Sequence, residues 1–256
     1  MTDFSKYEIN KVNPDYLSDL TNNKLIIAGP CSFTSYEELH NIAIKLKDMG
    51  VKYLRAGSFK PRTSPYSFQG LKDEGLEILR RIKAETGLKI VTELMNISQV
   101  EKYLDVVDII QVGSRNMYNY DFLEDLGKVD KPVLLKRGLS ATLEEWLNSA
   151  EYIAKNGNHK IILCERGIRG FDNATRNVLD LQSVVLAKIY SKLLVIVDPS
   201  HASGRRDLVL PMSKSALACN ADGLIIEVHD HPDESKTDSS QTISIDKMKE
   251  IMNYVQ

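Results

Sequence analysis

The stretch LLVIVDPSHASGRRDLVLPMSKSALACNADGLIIEVH, Leu193 to His229, decides the fold. It opens on an apolar, β-branched run (LLVIVDPS from Leu193) and passes through a helical pattern (DLVLPMSKSALACNADG). It ends in a second run, GLIIEVH from Gly223. Near-continuous hydrophobicity over about 4–6 residues is what a strand buried on both faces requires. Working outward, the same unit recurs. The further runs are KLIIAG from Lys24, KYLRAG from Lys52, KIVTEL from Lys89, DIIQVG from Asp108, PVLLKR from Pro132 and KIILCER from Lys160, which makes eight.

Helical patterns separate the runs. YEELHNIAIKLKDMG sets Leu39, Ile42, Ala43 and Leu46 on one face, with Gly50 as its stop. LEILRRIKAETG ends at Gly87, and ATLEEWLNSAEYIAKNG carries the Thr142–Glu145 spacing of a capping box and closes at Gly157. ISIDKMKEIMNYV supplies the last helix, Asn177 to Ser191 reads as another, and the one after DIIQVG is short and poorly patterned. Strands alternating with helices imply parallel pairing through crossovers. The expected fold is a single-domain (β/α)₈ TIM barrel over residues 24–256, with residues 1–23 as a short N-terminal extension. An open doubly wound sheet would want a Gly-rich turn after the first strand, and AGPCS is not GxGxxG.

Length and composition agree. The 256 residues are close to the ~250 typical of one such barrel. With 43% hydrophobic residues, 27% charged residues and a net charge of −2, the chain reads neither as a nucleic-acid binder nor as a disordered acidic segment. No apolar run approaches the ~20 residues that span a bilayer. The opening MTDFSKYEIN lacks the apolar core of a secretory signal. Three scattered cysteines make no disulfide framework. The expectation is a cytoplasmic, reduced protein with no nucleic-acid or membrane partner.

Polar residues collect at the C-terminal ends of the runs, the face on which barrel enzymes build their sites. Cys31, His201 and Glu227 follow strands one, seven and eight, which are neighbours in a closed barrel, and Asp238 could drop in from the loop of residues 229–242. A thiolate, an imidazole and two carboxylates suit Zn²⁺, Fe²⁺, Mn²⁺ or Co²⁺. His201, directly after DPS, falls where no helix face is expected to hold it. Taken singly, Cys31 also fits a small buried hydrophobe. Cations form a second group: Arg55, Lys60 and Arg62 after strand two, Lys136 after strand five, Arg166 after strand six. Such cations repel unless an anion joins them, which argues for phosphate or carboxylate ligands. One or two of them are expected to pair instead with Glu93, Glu165 or Asp198.

The strings AGPCS, LRAGSFKPRTSPYSFQGL, VTEL, IIQVGSRN, KPVLLKRG, KIILCERGIR, VDPSHASGRRDLV and IIEVH run through most of the chain, from about Ala28 to Asp238. Together they resemble the 3-deoxy-D-arabino-heptulosonate 7-phosphate (DAHP) synthases, in the shorter group related to 3-deoxy-D-manno-octulosonate 8-phosphate synthase. The resemblance implies condensation of phosphoenolpyruvate, erythrose 4-phosphate and water to DAHP and phosphate, the opening step of the shikimate route to chorismate and aromatic amino acids. It implies one divalent metal (Mn, Fe, Zn or Co) on Cys31, His201, Glu227 and Asp238. Phosphoenolpyruvate contacts would fall on Arg55, Lys60, Ser114, Arg115, Lys136 and Arg166, and aldose-phosphate contacts on Lys60, Pro61, Arg62 and Thr63. Arg206 would help hold a phosphate. Lys136 with Glu93 is the candidate pair for placing the attacking water, with proton transfer at His201.

Pro61-Arg62-Thr63 reads for erythrose 4-phosphate, where the octulosonate enzymes carry an Asn-Arg-Ser-Ser type of sequence suited to arabinose 5-phosphate. That enzyme is the runner-up, and a non-catalytic phosphosugar-binding barrel is the reading from another class. Larger members carry an extra N-terminal ferredoxin-like or chorismate-mutase-like domain. Only about 23 residues precede strand one here, which sets the expectation against feedback inhibition. The resemblance also implies a homo-oligomer, tetramer or dimer.

Overall fold

The computed structural model describes the chain apart from Met1, Pro14, Ser18, Thr21, Pro61, Arg62, Thr63, Pro65 and Gln256. All the apolar runs form strands: β1 (Leu25–Gly29), β2 (Tyr53–Arg55), β3 (Lys89–Glu93), β4 (Val107–Val112), β5 (Val133–Lys136), β6 (Ile161–Glu165), β7 (Leu194–Val197) and β8 (Gly223–Glu227). They pair in sequence order, all parallel, into a closed barrel, which excludes the open doubly wound sheet. The seam joins β1 to β8 from Leu25 opposite Gly223 to Gly29 opposite Glu227. A Cβ at Gly223 would stand 2.0 Å from the Leu25 carbonyl oxygen, so close backbone approach at the seam requires glycine.

Around the barrel run α1 (Tyr36–Asp48), α2 (Asp73–Thr86), α3 (Ile97–Tyr103), α4 (Tyr120–Leu126), α5 (Leu143–Lys155), α6 (Leu181–Tyr190), α7 (Pro199–Ser203), α8 (Arg206–Ala218) and α9 (Ile245–Val255). Both strand faces are buried, for different reasons. Leu25, Ile27, Tyr53, Val91, Ile109, Leu134, Ile162, Cys164, Ile196 and Ile225 fill the barrel interior. Their neighbours, such as Ile26, Leu54, Ile90 and Leu135, join the helices in the outer core. Side chains alternate across a strand, so two apolar environments give an unbroken apolar run. Helix α5 shows how the outer layer is fixed. Thr142 and Glu145 form the expected capping box, and Trp146, fully buried, donates from Nε1 to the Leu135 carbonyl at 3.2 Å. A cap of this kind stabilises by about 1 kcal/mol, and truncating such a Trp costs roughly 3–5 kcal/mol.

The N-terminal segment closes the barrel end opposite the site. Tyr16, Leu17 and Leu20 pack against the interior cluster, and the Tyr16 hydroxyl donates to the carbonyl of Ile161, the first residue of β6, at 2.7 Å. Two differences from the periodicity stand out. Residues Asn177 to Asp180 lie outside α6, because Val178 bridges back to Ile168 and the Asn177 side chain donates to the His201 carbonyl at 3.1 Å. These ties make the connection from β6 to α6 a long loop. The chain after β7 also turns at once into α7, so His201 does lie on a helix, contrary to expectation. Asp198 caps that helix by accepting from the His201 amide at 2.9 Å, and Pro199 starts it.

Candidate active site

Barrel closure brings the ends of β1, β7 and β8 together. Cys31 Sγ, a ring nitrogen of His201 and one carboxylate oxygen each from Glu227 and Asp238 lie within 4.8 Å of one another. Asp198 fixes the imidazole: its Oδ2 sits 2.7 Å from His201 Nδ1, which leaves Nε2 aimed at the cluster. Glu227 is fully buried, and among the described residues its Oε1 has no hydrogen-bond partner, standing 3.2 Å from His201 Nε2 and 3.3 Å from Arg55 Nη2. The Lys60 ammonium reaches between Cys31 and Asp238, 3.1 Å from the carboxylate. A thiol, an imidazole nitrogen and two carboxylates that converge around a positive charge, one oxygen being buried and unsatisfied, fit a divalent transition-metal ion.

The electrostatics agree. Burial, reinforced by the Glu227 charge, pushes the Cys31 thiol up to about 12, against the pull of Lys60 and Arg55. Burial brings His201 down to about 4 despite Asp198 and Glu227. Burial alone would raise the Glu227 and Asp238 carboxyls. The His201 and Arg55 charges outweigh it at Glu227, and Lys60 and His201 outweigh it at Asp238, so both lie below their ordinary values.

Over this cluster opens a cavity of about 550 Å³. Arg55, Lys60, Arg115, Lys136, Arg166, Arg169 and Arg176 line it, with Ser64, Ser67, Ser114, Glu93 and Gln111. Arg55 Nη1 is buried without a hydrogen-bond partner among the described residues. Arg166 is buried and, among the described residues, donates only to the Gly167 carbonyl, at 3.2 Å; burial lowers its guanidinium from the ordinary value. Buried guanidinium donors without acceptors are an anion site.

The structure therefore gathers Cys31, Arg55, Lys60, Glu93, Ser114, Arg115, Lys136, Arg166, His201 and Asp238 around one cavity, with Glu227 beneath it. Pro61, Arg62 and Thr63 lie outside the described residues. Lys136 pairs with Asp198, Nζ to Oδ2 at 2.6 Å, one of the bridges expected of the strand-end carboxylates, while Glu93 accepts from Gln111 at 3.1 Å. Glu165 takes Arg137, at 3.0 Å, in place of a cavity cation. Arg206 stands away from the cavity. Its Nη2 donates to Asp233 at 2.8 Å and to the Ser239 carbonyl at 2.9 Å, so it anchors the loop after β8.

Arg169, Arg176 and Gln111 were not singled out by sequence. The available signal was the arginine-bearing stretch GIRGFDNATRN beyond β6. Of the other cysteines and histidines, Cys164 is packed inside the barrel, and His229 is buried with its Nε2 2.9 Å from Glu38.

A closed (β/α)₈ barrel with a thiol–imidazole–carboxylate cluster under a cation-lined cavity defines a barrel enzyme built for small anionic substrates beside a divalent ion. Comparison with known proteins sharpens the class. Residues 17–256 match the DAHP synthetase I family. A phospho-2-dehydro-3-deoxyheptonate aldolase of Thermotoga maritima is 51% identical over 227 residues, 89% of this chain and 67% of that protein. The solved truncated form of 3-deoxy-D-arabino-heptulosonate 7-phosphate synthase from Thermotoga maritima superposes with a TM-score of 0.87 at 45% identity, covering 96% of this chain and 90% of that one. A 2-dehydro-3-deoxyphosphooctonate aldolase of Desulfotalea psychrophila is 32% identical over 248 residues, 89% of this chain and 87% of that protein. The chain belongs to the DAHP synthetase I family.

Proposed function

We propose that this chain is a metal-dependent DAHP synthase, which condenses phosphoenolpyruvate with erythrose 4-phosphate and water to give DAHP and phosphate. The observation that carries this reading is the one cavity that joins buried Arg166, without an ion pair among the described residues, and the unsatisfied Nη1 of Arg55 to the Cys31–His201–Glu227–Asp238 cluster. The higher identity to the heptonate enzyme, 51% against 32%, favours erythrose 4-phosphate over arabinose 5-phosphate.

In this reading Arg55, Arg115, Lys136 and Arg166, with Ser114, hold the carboxylate and phosphate of phosphoenolpyruvate and aim its C3 at the aldehyde. Lys60 sits between the two substrates, and Pro61, Arg62 and Thr63 hold the aldose phosphate. A divalent ion on Cys31, His201, Glu227 and Asp238 supplies Lewis-acid polarisation of the aldehyde oxygen. C3 bonds to the aldehyde carbon, water adds at C2, and phosphate leaves by C–O cleavage. Glu93 is a cavity carboxylate without an ion pair among the described residues, which suits it to accept the proton of that water. Lys136 and His201 share Asp198, so a proton can be held or passed along that chain.

A cytoplasmic enzyme of soluble metabolites is part of this reading; separately, no helix among the described residues is long and apolar enough to cross a membrane. A homo-oligomer is part of the same reading. The test is phosphate release with each aldose, with and without chelator, in the wild type and Cys31→Ala. Erythrose 4-phosphate should be the better substrate, and chelator or C31A should abolish turnover. Full chelator-resistant activity in C31A overturns the metal reading, and preference for arabinose 5-phosphate overturns the substrate.

A further inference from the structure

We infer that Gln241 is a positioning residue that locks both carboxylates of the cluster and ties them to an arginine of the substrate cavity. The inference rests on the reading of Glu227 and Asp238 as metal ligands. Gln241 is 1% exposed and lies in the loop after β8, yet each of its polar groups has a task. Its Nε2 donates to Glu227 Oε2 at 2.5 Å. That bond occupies one carboxylate oxygen and leaves the other, the unsatisfied Oε1, turned toward His201 and Arg55. Its Oε1 accepts from Arg176 Nη1 at 3.1 Å, and the same nitrogen donates to Asp238 Oδ1 at 3.2 Å.

The backbone of Gln241 acts on Asp238 as well. Asp238 holds a φ of +55°, a left-handed conformation uncommon in a residue with a Cβ. Its carbonyl accepts from the Gln241 amide at 3.1 Å, the Thr242 amide at 3.2 Å and Thr242 Oγ1 at 3.0 Å. Those three donors hold the strained turn that presents the carboxylate. Arg176 in turn is anchored beside His201: its amide donates to the Ser203 carbonyl at 2.9 Å, and the next amide to that of Ala202, also at 2.9 Å. One buried amide side chain therefore joins the loop after β8, the end of β8 and the loop after β6. Partners of this kind orient ligands and set the affinity of the ion.

The test is the apparent Kd for Mn²⁺, measured by competition against a chromogenic chelator, in the wild type, Gln241→Leu and Arg176→Met. Gln241→Leu keeps the volume and removes both side-chain hydrogen bonds, so Mn²⁺ binding should weaken roughly 10- to 100-fold. Activity should then depend on added Mn²⁺ with KM for phosphoenolpyruvate unmoved. Arg176 is half-exposed, so its Met variant folds even where the Leu variant does not, and it should weaken Mn²⁺ binding several-fold. Wild-type affinity in a folded Gln241→Leu, or in Arg176→Met where that variant alone folds, overturns the inference while the ligand set stands. Absence of Mn²⁺ binding in the wild type overturns the ligand set, and the inference with it.

Discussion

Asp198 is a fully buried carboxylate shared by two residues of the site. Its Oδ2 accepts from Lys136 Nζ at 2.6 Å and faces His201 Nδ1 at 2.7 Å, and its Oδ1 accepts from the His201 amide at 2.9 Å. The side chains of Asp198 and Lys136 are 0% and 5% exposed. Asp198→Asn preserves the shape but removes the charge from a buried ammonium. Removing one partner of such a pair costs about 3–5 kcal/mol. At about 2–4 °C per kcal/mol for a chain of this size, the melting temperature should fall by roughly 6–20 °C. Burial alone would raise the Asp198 carboxyl, but the His201 and Lys136 charges and the His201 hydrogen bond hold it well below the ordinary 3.8. A lowered native value means that the stabilisation is fully present above 3.8 and is lost as pH falls through the native value. The gap between wild type and variant should therefore be open at neutral pH and narrow toward about pH 3. Thermal unfolding followed by circular dichroism in chelator-containing buffer reads both effects. A variant melting within about 2 °C of wild type at pH 7, or a gap that is constant with pH, refutes the electrostatic account of this bridge.

Two further outcomes are expected. A Cβ at Gly113 would stand 2.1 Å from Glu93 Oε1, so Gly113→Ala should push this flexible carboxylate off Gln111 with little change in melting temperature. The kcat should fall about 100-fold, as for a misplaced catalytic group, and an unchanged kcat removes Glu93 from the chemistry. In the chelator-treated protein, His201 is neutral when folded down to about 4 but charges near 6.5 when unfolded. That contribution is present above 6.5 and lost as pH falls toward 4, so the urea midpoint should drop across this window. His201→Gln should lack that part of the slope; identical slopes in the two proteins would contradict the burial of a neutral imidazole.

The barrel was legible because it makes every strand apolar on both faces, and because runs such as KIVTEL and GLIIEVH are too short for buried helices. The same topology made Cys31, His201 and Glu227 legible as neighbours: strand ends are countable, and closure sets the first beside the last. Asp238 is only one candidate from the loop after strand eight until the family resemblance selects it, since a loop residue has no period to place it. Gln241 and Arg176 sit in loops for the same reason, and nothing in their spacing marks the bond between them. Sequence leaves Glu93, Glu165 and Asp198 open as partners for the cations, because it tells which strand ends carry charge but not which side chains lean inward. Glu93 and Asp198 both end strands, and only the capping of α7 by Asp198 turns that carboxylate toward Lys136. Arg206 was drawn to the site by its place in the VDPSHASGRRDLV string, whereas the start of α8 points its side chain to the loop beyond β8.

The balance of charge at the mouth explains why the cavity asks for anions. Asp238 is met by Lys60 and Arg176, Glu227 by Arg55 and His201, Asp198 by Lys136 and His201, and Glu165 by Arg137. Among the described residues that leaves Arg115, Arg166 and Arg169 at the cavity without an ion pair, and Arg55 with an unsatisfied Nη1, in a chain whose net charge is −2. A surplus of cations confined to one concave, partly buried surface is a local cost that the rest of the acidic surface does not relieve, because exposed charges beyond about 8–10 Å are screened. Phosphoenolpyruvate brings a carboxylate and a phosphate, and the aldose brings a second phosphate. In the proposed reading those groups would supply the acceptors that the buried arginines lack, and bidentate, charge-assisted bonds would recover what burial of the guanidinium costs. That arrangement would concentrate the binding energy on groups remote from the bond that forms, and so let it orient C3 of one substrate against the aldehyde of the other.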